Sequence, residues 1–94
     1  MNNIDDISKY LKAIADPTRL KLIEILINKD KSLCVNCLSE RLNVTQSALS
    51  QHFRILRQLN IVKSNRKGYY IHYEINHEII DQLYNNLGNI LKKN

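Results

Sequence analysis

Residues 44–59 read VTQSALSQHFRILRQL, and the spacing of their apolar side chains decides what kind of domain this is. Leu49, Phe53 and Leu56 recur at intervals of four and three, the period of one helix face, and Thr45 stands where an N-cap hydroxyl is wanted. Stepping about 100° per residue puts Ser47, Gln51 and Arg54 opposite that buried stripe. Ser50 falls on one flank, Gln46 near the leading end, and His52 on the inward side. The outer face therefore offers hydroxyls, carboxamides and a guanidinium, and no carboxylate. Such groups can meet base edges and phosphates across a major groove, where an acidic side chain would be repelled. Taken alone, the same face reads equally well as a solvated polar surface. Its neighbours tip the balance.

Upstream, Val35 to Leu42 reads as a shorter helix with Val35, Leu38 and Leu42 inward. Asn43 suits the left-handed conformation that ends a helix, and Val44 plugs the corner. Two helices joined by so short a turn make a helix-turn-helix. Earlier still, Ile4, Ile7, Leu11 and Ile14 mark an amphipathic helix that stops near Ala15. Asp16 then serves as N-cap and Pro17 as first residue of a second helix. That helix is expected to bury Leu20, Ile23, Leu26 and Ile27, with Leu22 and Ile25 widening the arc and residues 28–31 as a polar exit.

Asn60 closes the long helix, and the period then changes from 3.6 to 2. Ile61 to Asn65 is expected as a strand, Arg66-Lys67-Gly68 as a turn, and Tyr69 to Ile75 as the return strand. Alternation puts Tyr69, Ile71, Tyr73 and Ile75 on the inner face and Tyr70, His72 and Glu74 on the outer one. Asn76 opens a last helix with Ile79, Ile80, Leu83, Leu87, Ile90 and Leu91 along one stripe. The expected fold is thus mostly α with a small β-hairpin. It is a winged helix-turn-helix in the order α-α-α-α-β-β-α, one domain over residues 1–94.

Composition agrees. A chain of 94 residues, 44% apolar and 24% charged, has the balance of an ordinary soluble domain. A net charge of +5 favours a polyanionic partner. No apolar run approaches the roughly 20 residues of a membrane span, and MNNIDDISKY has no basic-then-apolar leader pattern. The expectation is a cytoplasmic protein with no membrane association. Arg66 and Lys67 at the hairpin would reach flanking phosphate and add affinity; equally, they guard an exposed strand edge.

Three stretches together carry a resemblance: ADPTRLKLIEIL, LCVNCLSERLNVTQSALSQHFRILRQLNIV and RKGYYIHYEI. From about Leu11 to Ile75 the chain resembles the ArsR-type (ArsR/SmtB) family of winged-helix repressors, with a HlyU-like recognition helix. The resemblance implies a homodimer on an operator near its own promoter, released in most members by an effector. The apolar stripes point the same way. Ile4, Ile7 and Leu11 with Leu83, Leu87 and Ile90 exceed what one small domain can cover, so the first and last helices are the expected two-fold interface. Two recognition helices roughly 34 Å apart would read a near-palindromic site on double-stranded DNA.

Cys34 and Cys37 are the only cysteines. They fall at the N-cap and third position of the shorter helix, where free N–H groups and the helix dipole favour a thiolate. The pair could form a disulfide, supply two soft ligands to a metal or metalloid ion, accept a persulfide, or simply fill two small positions. ArsR-like metal sensors carry a pattern similar to E-L-C-V-C-D-L here. Cys34 matches its first cysteine, whereas Cys37 falls one position past its second. The last helix offers Asp81, with His77 and Glu78 at its start, so the histidine-rich site of zinc-type members is not expected. Nor does that helix hold a cysteine for a disulfide between two helices. No catalytic residues are expected. The rival classes are a winged-helix protein-interaction module with weak or no DNA binding, and a thiol oxidoreductase, for which no βαβ pattern is present.

Overall fold

The computed structural model describes residues 3–29 and 33–92, the side chains at 29, 33 and 67 excepted. Its elements are α1 (Ile4–Ile14), α2 (Pro17–Lys29), β1 (Leu33–Cys34), α3 (Val35–Leu42), α4 (Gln46–Gln58), β2 (Val62–Lys67), β3 (Tyr70–Ile75) and α5 (His77–Leu91). Local chemistry sets most of these boundaries. Asn3 Oδ1 accepts from the Asp6 amide at 2.8 Å, Asp16 Oδ1 from the Arg19 amide at 3.0 Å, and Thr45 Oγ1 from the Ala48 amide at 3.0 Å. Each bond satisfies an amide that the first helical turn leaves free. Asn43 and Asn60 end α3 and α4 with φ of 54° and 59°, a left-handed conformation that asparagine tolerates.

The corner of the helix-turn-helix is locked from both sides. The Val44 amide donates to the Ser39 carbonyl at 3.2 Å, and the Ser39 hydroxyl donates to the Val44 carbonyl at 2.6 Å. Below this corner, Leu22, Leu26, Leu38, Leu49, Phe53, Leu56, Ile61 and Val62 are almost completely buried. Each such side chain contributes about 1.5–3 kcal/mol relative to leaving it in water. Phe53 lies flat against Tyr73, ring centroids 3.8 Å apart and planes 2° from parallel. One stack thereby fastens α4 to the middle of the sheet.

The sheet has three strands rather than the expected two. β1 adds to β3 with Leu33 opposite Tyr73 and Cys34 opposite His72, giving the order β1-β3-β2, all antiparallel. Two residues are too few for alternation to announce a strand. The hairpin turn also sits later than expected. Arg66 and Lys67 belong to β2, and the connection is Gly68-Tyr69, since Lys67 pairs with Tyr70. Gly68, at φ 65°, occupies the first loop position, as in the mirror-image turns that match hairpin twist.

Five expectations of burial are corrected. Tyr69 is 99% exposed, because it lies in the turn and not on the inner strand face. Ile71 has the expected parity but stands on the part of the hairpin that projects beyond the body, and it too is exposed. His72, opposite Cys34 of β1, is half-buried, its Nδ1 shielded from solvent and without a hydrogen-bond partner among the described residues. Leu20 and Ile27 are 54% and 38% exposed; the core contacts α2 through Leu22, Ile23, Ile25 and Leu26 instead.

α1 and α5 pack together, with Ile7 and Leu83 buried between elements of the same chain. Those two residues of the expected interface are thus committed internally. Ile4, Ile90 and Leu91 remain exposed. Among the described residues, no helix is long and apolar enough to cross a membrane.

Candidate nucleic-acid interface

Three fully buried residues, Leu49, Phe53 and Leu56, fix the rotation of α4 about its own axis. A polar tie sets its near end. Arg19 Nη1 lies 3.2 Å from His52 Nδ1, and Arg19 Nε donates to the Ala13 carbonyl at 2.5 Å. Asp16 Oδ1 stands 3.9 Å from the same histidine nitrogen. The Asp16 carboxyl is held below the usual carboxylate range, first by the Arg19 amide and then by the charge of Arg19. One arginine thereby joins the end of α1, the start of α2 and the flank of α4. His52 is a packing histidine.

With its inner side so engaged, α4 turns Gln46, Ser47, Ser50, Gln51 and Arg54 to solvent, and all five are exposed. The face continues further than the sequence reading carried it. Gln58 lies one turn beyond Arg54 and Arg57 lies beside Ser50's flank, both exposed. The same 100° step would have found them (about one full turn per 3.6 residues).

The wing lies beside this face. Exposed Arg66 sits on β2 opposite Ile71; the Lys67 side chain lies outside the described part of the structure. A cleft of about 340 Å³ is lined by Val35 and Asn36 of α3, Ser50 of α4, and Tyr69, Tyr70 and Ile71 of the wing. The exposed aromatic tip was missed from sequence because alternation assigned Tyr69 to the core. A larger groove, about 550 Å³, runs along α2 past Leu20, Ile23 and Ile27 and involves none of these residues.

The two cysteines come together at the start of α3. Cys34 is its N-cap, with backbone angles of −82° and 154°. Its Sγ accepts from the Cys37 amide at 3.4 Å and lies 2.6 Å from Cys37 Sγ. The Cys37 thiol hydrogen bond, then its amide, holds the Cys34 thiol below its ordinary pKa. The same contact pushes Cys37 up, as expected when one proton is shared between two sulfurs. Among the described residues there is no group of three or more His, Cys, Asp or Glu placed to hold a metal ion. Two sulfurs are what this corner offers.

The family model for "Bacterial regulatory protein, arsR family" matches residues 16–64, from the α2 cap through the helix-turn-helix into β2. The transcriptional repressor SdpR of Bacillus subtilis is 31% identical over 99% of this chain and 94% of its own length. An arsenical resistance operon repressor of the same organism is 39% identical over 77% of this chain and 68% of its own. Among solved structures, HlyU from Vibrio cholerae superposes with a TM-score of 0.77 at 31% identity, covering 96% of both chains. Helix order and sequence likeness converge: the chain belongs to the arsR family of bacterial regulatory proteins.

Proposed function

We propose that this chain is a homodimeric, sequence-specific DNA-binding repressor, cytoplasmic and composed of one domain. The observation that carries the reading is the acid-free, solvent-facing surface of α4, bearing Gln46, Ser47, Ser50, Gln51 and Arg54 beside a basic, projecting wing. In the bound state α4 lies in the major groove, where Gln51 and Arg54 read base edges and the serines approach phosphate. Arg66 and Lys67 engage the flanking backbone. Repression follows from occupancy of a promoter; the similar protein SdpR is a transcriptional repressor.

Dimerisation is supported by the surface that α1 and α5 leave uncovered. Ile4 is 66% exposed, and a shallow groove of about 260 Å³ runs between Ile4 and Ile7 on one side and Asn86 and Ile90 on the other. Burying this strip against a second copy sets two recognition helices about one DNA turn apart, hence a near-palindromic operator. The name of the arsenical repressor relative suggests a soft metal or metalloid ion as effector. Cys34 and Cys37 are the donors present for one. A third soft ligand would have to come from elsewhere.

The test is a footprint on the DNA upstream of the protein's own gene, repeated with Gln51→Ala/Arg54→Ala. A protected near-palindrome that the double variant loses, at unchanged melting temperature, supports the reading. The rival, a protein-contact module, draws on the exposed apolar groove of α2. It predicts no protected site and no effect of the two substitutions. Titrating the complex with zinc, cadmium and arsenite, against Cys34→Ser and Cys37→Ser, tests the ion.

A further inference from the structure

Cys37 is exposed and Cys34 half-exposed, so neither serves as filler for the core. Their sulfurs are in direct contact at 2.6 Å, nearer than two unbonded sulfur atoms ordinarily sit. Cys34 Sγ, at the N-cap, accepts from the Cys37 amide at the start of α3, a position that lowers the cost of a negative charge on it. A bonded S–S distance is about 2.05 Å, so closing the pair needs adjustment of two side chains and little more. The intervening Val35 and Asn36 are already in the helix. Cys34 is also the β1 residue opposite His72 of the wing strand. The pair therefore sits where the helix-turn-helix is joined to the wing.

We propose that Cys34 and Cys37 are a modification site for hydroperoxides, with Cys34 as the attacking sulfur and Cys37 as the resolving one, closing a reversible disulfide within the first turn of α3. In the first step the Cys34 thiolate attacks one oxygen of ROOH. An S–O bond forms, the O–O bond breaks, and ROH leaves after taking a proton from solvent; the sulfur becomes a sulfenic acid. In the second step Cys37 sulfur attacks Cys34 sulfur. The S–S bond forms, the S–O bond breaks, and water leaves with the Cys37 proton. Two thiols and ROOH thus give one disulfide, ROH and water, a two-electron oxidation. A dithiol reductant reverses it by exchange. The division of labour follows the geometry: Cys34 Sγ is the N-cap atom that accepts from the Cys37 amide, a contact that favours the thiolate there. Unlike an ion site, this chemistry needs no third ligand.

The experiment uses the full chain, reduced and then exposed to hydrogen peroxide, with intact and peptide mass spectrometry. The expected product loses two hydrogens per chain, contains a Cys34–Cys37 link and is restored by dithiothreitol. Cys37→Ser is expected to stop at a sulfenic acid on Cys34 that dimedone traps. Cys34→Ser is expected to oxidise at least tenfold more slowly. Circular dichroism establishes that both variants are folded, since serine also caps helices. Disulfides formed only between chains would overturn the proposal. So would oxidation of Cys34→Ser at the wild-type rate, or over-oxidation of wild type without a disulfide. None of these readouts involves DNA, so failure of the operator footprint would overturn the repressor reading and leave this one standing.

Discussion

Arg19 Nη1 lies 3.2 Å from His52 Nδ1, across the gap between α2 and α4. An arginine N–H can only donate, so Nδ1 accepts and the ring proton belongs on Nε2. The relationship matters because Arg19 also caps the Ala13 carbonyl at the end of α1. Arg19→Ala removes both bonds and leaves polar partners half-buried, an expected loss of about 1–3 kcal/mol. Arg19→Lys should recover part of it, since a lysine reaches one partner but lacks the fork. Thermal melts of the three proteins check the order, and nitrogen chemical shifts of His52 check the tautomer.

Phe53 and Tyr73 are stacked at 3.8 Å, and both are buried. Phe53→Ala empties the contact between α4 and the sheet, with an expected cost of about 3–5 kcal/mol. For a domain this small that consumes much of the total stability. Phe53→Leu and Tyr73→Leu, made singly and together, should show a coupling of about 0.5–1.5 kcal/mol in a urea-denaturation cycle. Strict additivity would mean the rings merely share a cavity.

Acid sensitivity is expected at Asp16. Its carboxyl is held low by the Arg19 amide first, then by the Arg19 charge. A lowered folded pKa makes the ionised group stabilising above the ordinary carboxylate pKa, and that contribution is lost as pH falls through the folded value. Asp16→Asn should therefore be less stable than wild type at neutral pH, with the difference shrinking as pH falls through and below the ordinary carboxylate range. Melting temperatures measured across that range decide it. A difference that stays constant with pH would show that the charge contributes nothing.

Arg66 and Gln51 should fail in different ways. Arg66 stands on the wing, and Gln51 on the α4 face. Arg66→Ala is expected to weaken operator and unrelated DNA alike and to reduce the slope of log K against log salt by about 1. Gln51→Ala is expected to cost about 1–3 kcal/mol on the operator alone, with the salt slope unchanged. Binding titrations at several salt concentrations separate the two.

What could be read without coordinates was whatever depends on a residue and its near neighbours. The caps at Asp16, Cys34 and Thr45, the left-handed Asn43, the helix end at Asn60, and the burial of Leu49, Phe53 and Leu56 follow from helix chemistry and a 3.6-residue period. That sufficed for the helix order and for the outward set Ser47, Ser50, Gln51 and Arg54. Tertiary structure decided what depends on a distant partner. The two-residue β1 exists because β3 pairs with it, and His72, opposite Cys34 in that pairing, is half-buried. Tyr69 and Ile71 are exposed because the wing outruns the body beneath it, and Leu20 and Ile27 because no element among those described reaches their side of α2. Periodicity assigns a side chain to a face, but only packing determines whether anything covers that face.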